Sequence, residues 1–192
     1  MIRRLYDWTL DLAERRAAKW WLAFIAFIES SVFPIPPDIL VIPMVLAARE
    51  KAWQIATICT AASVAGGVAG YALGFFAFDL VGQPLLDFYG YGDKYIEFQG
   101  HFDEWGFWAV AIFGTTFLPF KVITVASGVM QMNLAGFIIA SIIGRAIRFY
   151  LVAGLLWKFG EPIKNFIEKY LEWLSFAAVV LLVGGFLLIR YI

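Results

Sequence analysis

The chain has 192 residues, 62% of them hydrophobic and 18% aromatic, and its 15 basic and 15 acidic residues cancel. That balance gives no ground for nucleic-acid binding or for attracting an acidic substrate by net charge. Apolar runs longer than the roughly 18 residues of a membrane span instead define an all-α polytopic membrane protein.

Residues 1–19 do not read as a cleaved signal, because Arg3, Arg4, Asp7, Asp11, Glu14, Arg15 and Arg16 interrupt them. Leu5, Trp8 and Leu12 recur at helical spacing opposite those charges, which predicts an amphipathic helix on the membrane surface. Five apolar regions follow, at about 20–48, 52–80, 106–132, 134–158 and 173–190. The first contains Pro34, Pro36, Pro37 and Pro43, and its uninterrupted arm, Trp20 to Phe33, is about 21 Å of helix against a hydrocarbon core of about 30 Å. Proline removes donors and blocks helix continuation, so Phe33-Pro34-Ile35-Pro36-Pro37 reads as the tip of a re-entrant hairpin. Non-helical backbone at that depth must be covered by protein or face a water-filled cavity.

In the second region Ala62, Gly66, Gly70 and Gly74 recur every four residues and form a small-residue ridge for close helix packing, on which a hairpin would dock. Gly66-Gly67-Val68-Ala69-Gly70 is no phosphate loop, since it lacks the lysine and the strand-to-helix setting. Cys59 can form no intrachain disulfide and reads as packing. Residues 83–105 mix acids with aromatic rings, which suits an interfacial linker. His101, the single histidine, lies there and reads as an ordinary interfacial residue; no second histidine or cysteine accompanies it, so no metal site is expected.

The third region repeats the first, with an arm from Gly106 to Leu118, a break at Pro119-Phe120-Lys121 and a second arm to Met130. The helices that follow the two hairpins end in Gly82-Gln83-Pro84-Leu85 and Gly160-Glu161-Pro162-Ile163. Matching order and punctuation predict an internal repeat within a single membrane domain. Its parts are the surface helix 1–19, repeat one at 20–82, the linker 83–105, repeat two at 106–160, and 161–192 as an interfacial helix plus a C-terminal transmembrane helix. If each hairpin returns to its own side, the repeats are inverted. A cytoplasmic N-terminus then places Arg3, Arg4, Arg15, Arg16, Lys19, Arg49, Lys51, Lys158, Lys164 and Lys169 inside, and only Lys94 and Arg190 outside.

Five ionisable residues are left inside apolar sequence: Glu29, Asp38, Lys121, Arg145 and Arg148. Each costs about 2.5–3.5 kcal/mol at a bilayer centre on insertion scales, and such residues mark transport paths. Arg145 and Arg148 share one helix face, about 15 Å from the nearer helix end, too far to snorkel. One reading is a buried clamp of Glu29 and Asp38 against Arg145 and Arg148. The other starts from the surplus cation, which suits an anionic ligand such as phosphate, with the carboxylates taking up protons during a cycle.

At these residues the chain resembles the DedA family of integral membrane proteins, the bacterial relatives of the VTT-domain or SNARE-associated proteins. The resemblance runs over about residues 22–160. It rests on Glu29 before the proline-rich tip, Pro36-Pro37-Asp38, Gly66-x-x-x-Gly70-Tyr71-x-x-Gly74, Pro119 with its nearby base, and Ala126-Ser127-Gly128-x-Met130. Pro37-Asp38 where the family has Pro-Gly-Glu, Lys121 where it has arginine, and a missing later proline mark a divergent branch.

The resemblance implies two inward-facing re-entrant hairpins and transport of lipids between leaflets: phospholipids or a polyprenyl-phosphate carrier, coupled to protons, in the bacterial inner membrane. It implies that Glu29 and Asp38 are the functional acids and that Lys121, with Arg145 and Arg148 by looser position, holds the headgroup. The expected protein is therefore a proton-coupled lipid or lipid-phosphate translocase. The alternatives are a proton-coupled carrier of a small ion or a non-transporting scaffold for envelope assembly. Membrane lipids and protons are the expected partners, with no nucleic acid and no cofactor, and a homo-oligomer stays open. No enzyme is expected, since Ser127 and Thr124 have no base nearby in sequence.

Overall fold

A computed structural model of the protein describes residues 17–31, 36–90, 92–116 and 118–160, and their regular structure is entirely helical. Helix α1 is Ala18–Ser31, α2 Asp38–Ala47, α3 Ala52–Ala77, α4 Gln83–Tyr89, α5 Gly92–Thr115, α6 Phe120–Val129 and α7 Leu134–Phe159. A 3-10 turn, Arg49–Lys51, leads into α3. Residues 1–16 of the amphipathic surface helix, Pro34 at the first tip and the segment 161–192 lie outside the described residues.

Among the described residues two helical stretches are long and apolar enough to cross a membrane: Arg49–Ala77, of 29 residues and mean hydropathy 1.5, and Leu134–Phe159, of 26 residues and mean hydropathy 1.7. Proline marks where two of the shorter helices begin. Pro37 immediately precedes α2 and Pro119 immediately precedes α6, positions where a missing N–H costs nothing. Asn133 caps α7 by accepting a hydrogen bond from the Gly136 N–H at 3.0 Å, and Gly160, at φ 66°, ends it.

Two boundaries differ from expectation. Gly82-Gln83-Pro84-Leu85 is not a stop: the chain passes through a π-helical turn, Phe78–Gly82, and continues as α4 to Tyr89, ending at Gly90 with φ 68°. A widened turn just before Pro84 takes the preceding carbonyls off the proline ring, so the helix absorbs the residue instead of breaking. The linker also does not end at residue 105. Helix α5 runs unbroken from Gly92 to Thr115, because its acids and aromatics are compatible with helix and no breaker separates them from the apolar arm.

Both short-helix pairs begin and finish beside the start of the long helix that follows them. Lys19, at the start of α1, donates to Gln54 of α3 at 2.9 Å, whereas Ser30 near its end lies against Ser63 and Gly70. Helix α2 then returns directly to α3 through Arg49–Lys51. Likewise, Tyr95 and Gln99 near the start of α5 donate to the carbonyls of Val129 and Met130 at the end of α6, at 2.8 and 3.0 Å, while Gly114 lies against Gly144 in the middle of α7. The contacts are exchanged between the halves: α1 packs on α3 and α5 on α7, while α2 also packs on α7 and α6 on α3.

The core is split in two. One cluster joins α1, α2, the start of α3 and the end of α7, from Leu22 and Val41 to Cys59 and Phe149. The other joins α5, α6, the end of α3 and the start of α7 around Tyr71, Phe120 and Phe137. The Tyr71 hydroxyl donates to the Met132 carbonyl at 2.5 Å and fixes the α6–α7 turn. Tyr71→Phe leaves that carbonyl bare and is expected to cost about 1 kcal/mol, read as a shift in the unfolding midpoint in mixed detergent micelles.

Candidate functional site

Four of the stranded charges meet between the two apolar clusters, where the end of α1, the start of α2 and the end of α5 approach the middle of α7. Arg145 forms an ion pair through Nη2 with Oε2 of Glu29. It also donates from Nε to the Ser63 hydroxyl and from Nη2 to the Ser30 hydroxyl, the latter at 3.0 Å. Ser30 donates to Glu29 at 3.0 Å, and the Ser30 and Ser63 oxygens are 2.6 Å apart. A hydroxyl has one proton, so with Ser30 donating to the carboxylate, Ser63 must donate to Ser30. The guanidinium is completely buried, with its carbon 4.6 Å from the centre of the Phe120 ring and 5.0 Å from that of Phe149. Two aromatic faces and three oxygens thus replace its hydration.

One turn along α7, Arg148 pairs with Asp38 at 2.6 Å and donates to the Thr116 carbonyl at 3.2 Å. Asp38 is the first residue of α2, and Thr116 follows the last residue of α5. Arg148 therefore ties the first turn region to the second, while Arg145 ties α1 to α3. Asp38 Oδ1 and Arg145 Nη1 are buried here without a hydrogen-bond partner among the described residues. Buried polar groups are normally satisfied, so one bare acceptor and one bare donor beside the same helix are where water or a ligand would bind.

Four of the five stranded charges are thus brought together as two pairs. Lys121 is half-buried in the first turn of α6, next to Phe120, whose ring covers Arg145. Pro36 and Pro119 are exposed and Pro37 is buried.

The small-residue ridge is a packing surface. A Cβ on Gly66 would overlap the Phe27 carbonyl of α1, one on Gly70 would meet Thr124 of α6 at 2.5 Å, and one on Gly74 would overlap the Val125 carbonyl of α6. Thr124 in turn donates to the Ser30 carbonyl at 3.3 Å.

Ser30, Ser63 and Thr116 were not picked out from sequence. Ser63 carried a usable signal, since it is the polar residue one turn before Gly66 on the ridge that packs inward. Thr116 acts through a backbone carbonyl, for which sequence has no signature. Among the described residues no group of acids, histidines and cysteines has the arrangement of a metal site.

Long apolar helices closed around paired charges mark a membrane protein with a buried polar centre. The chain belongs to the VTT-domain family, the DedA proteins: the VTT domain matches residues 35–158. It is similar to an uncharacterized protein of Haemophilus influenzae, 37% identical over 186 residues that span 97% of this chain and 96% of that one. It is also similar to an uncharacterized protein of Histophilus somni, 35% identical over 186 residues that span 97% of each chain. No solved structure matches it.

Proposed function

We propose that the protein is a proton-coupled translocase of lipids or lipid phosphates in the bacterial inner membrane, with its N-terminus in the cytoplasm. The observation that carries this reading is the pair of buried carboxylate–arginine contacts, Glu29 with Arg145 and Asp38 with Arg148, set where the turns of both short-helix pairs meet. Each pair is neutral as it stands. Protonating a carboxylate releases its arginine for a phosphate, and deprotonation returns it, which couples the two events. The short-helix pairs serve as re-entrant hairpins of two inverted repeats, a reading supported by the exchanged packing of the halves and by each pair returning to its starting end. Lys121 adds charge for the headgroup, the acyl chains remain in lipid, and no bond is made or broken.

The formed pairs also favour a second reading, a clamp that braces the hairpins in a non-transporting scaffold. Reconstitution separates the two. Fluorescent phospholipids and a short polyprenyl phosphate are expected to cross liposome membranes faster with an imposed pH gradient, and Asp38→Asn is expected to lower the rate at least about tenfold at equal protein yield. Equal rates for wild type and Asp38→Asn would sink the translocase, and full rescue of function by Glu29→Arg with Arg145→Glu would favour the clamp.

A further inference from the structure

We infer that the two pairs do different work: Arg148 exchanges between Asp38 and the bound phosphate while Asp38 takes the coupling proton, and Arg145 with Glu29 stays closed and positions the site. This rests on the translocase reading and assigns its exchange to one pair.

The difference lies in what holds each guanidinium. Arg145 lies over the rings of both Phe120 and Phe149 and is bonded to Ser63, Ser30 and Glu29. Those partners sit on α1 and α3, which Gly66 brings into backbone contact with no room for a methyl group. Moving Arg145 would strip a fully buried cation of ion pair, hydroxyls and aromatic faces together. Arg148 shares the Phe149 ring, 5.7 Å from its centre, but its oxygen partners include the Asp38 carboxylate and the neutral Thr116 carbonyl, both beside the breaks that flank α2 and α6. A phosphate oxygen, being charged, is a stronger acceptor than that carbonyl and competes for it directly.

The two carboxylates differ in the same sense. Oε2 of Glu29 is held by Arg145 and by the Ser30 hydroxyl. Asp38 is 3% exposed, and its Oδ1 has no donor among the described residues. Once Arg148 turns to a phosphate, Asp38 would be a buried carboxylate without its countercharge, so it must bind a proton. The balance is one proton in from water and one phosphate bound, with Asp38 passing from carboxylate to carboxylic acid and Arg148 remaining charged throughout. The ionisable groups around this exchange include Arg145 and Arg148 on α7, Glu29 on α1 and Cys59 on α3, with Lys121 following Phe120 at the start of α6. Arg145 contributes without moving, because its Nη1 has no partner among the described residues and can donate to the bound phosphate.

The test is calorimetric titration of the full chain in nanodiscs of zwitterionic lipid, in buffers of different ionisation enthalpy, with inorganic phosphate and with dihexanoyl phosphatidate as probes. Wild type should take up about one proton per phosphate group bound. Asp38→Asn should lose that uptake and bind about tenfold more tightly, because the competing carboxylate is gone. Glu29→Gln should keep the uptake, and Arg148→Lys should bind at least about tenfold more weakly at an unchanged unfolding midpoint. Uptake retained by Asp38→Asn, or lost by Glu29→Gln, overturns the assignment while leaving the anion site standing. Failure of wild type to bind either probe removes the translocase reading and the assignment with it. Tighter binding of dihexanoyl phosphatidate identifies a lipid headgroup as the occupant, and equal binding a soluble phosphate.

Discussion

Arg145→Ala is expected to destabilise the protein by about 3–5 kcal/mol, the range for removing one partner of a buried ion pair. The loss has three parts: the Glu29 carboxylate loses its countercharge, the hydroxyls of Ser30 and Ser63 lose a shared donor, and the space between Phe120 and Phe149 is emptied. Because the larger share is the bare carboxylate rather than a lost attraction, Glu29→Ala together with Arg145→Ala should be more stable than Arg145→Ala alone. Equilibrium unfolding in mixed micelles measures Glu29→Ala, Arg145→Ala and the double variant. A double variant that loses the sum of the single effects would show that the two residues are not coupled, and the pair would then be incidental to the fold. The serine relay makes a smaller companion effect: Ser63→Ala removes one acceptor from Nε and one donor to Ser30, a deletion worth about 1–3 kcal/mol at a charged group.

That pairing shows what the sequence carried and what it could not. Glu29, Asp38, Arg145 and Arg148 were legible because charge in apolar sequence is costly enough to need a reason, and the three-residue spacing of the arginines put both on one face. Which acid meets which arginine was not legible, since that depends on the rotation of α1 and the placement of α2 against α7. Proline announced the breaks in the chain immediately before α2 and α6. The same rule failed at Pro84, where a single π-helical turn lets the helix continue. Propensity records the cost of proline in a regular helix and says nothing about a local widening that lowers it. The reach of α5 to Gly92 was hidden for a related reason: an apolar-run criterion finds the part of a helix that faces lipid or core, not the polar turns that extend it.

The second large effect is expected at the crossing of α3 and α6. Gly74 faces the Val125 carbonyl and Gly128 faces the Tyr71 carbonyl, so each helix presents a glycine to the backbone of the other. In lipid there is little hydrophobic drive to bring apolar helices together, and association depends on close van der Waals contact and on weak Cα–H···O bonds that only such an approach allows. A methyl group at either position would strike a carbonyl fixed in its own helix rather than the end of a side chain that can turn away. The helices must then separate. Gly74→Ala and Gly128→Ala are each expected to cost about 1–3 kcal/mol, the range for overpacking, and the pair together less than their sum, because the first methyl already opens the gap that the second needs. Gly100→Ala is the control: a Cβ there meets nothing within 4 Å, and replacing glycine inside a helix should stabilise by about 0.5–1 kcal/mol. The consequence reaches the polar centre through α6, whose Thr124 touches Gly70 and donates to the Ser30 carbonyl and whose Phe120 covers Arg145. Gly74→Ala should therefore lower stability and translocation together, whereas Gly100→Ala should leave translocation unchanged. If Gly74→Ala leaves the unfolding midpoint where it was, the α3–α6 crossing is looser than its carbonyl contacts require, and the route from the glycine ridge to Arg145 fails with it.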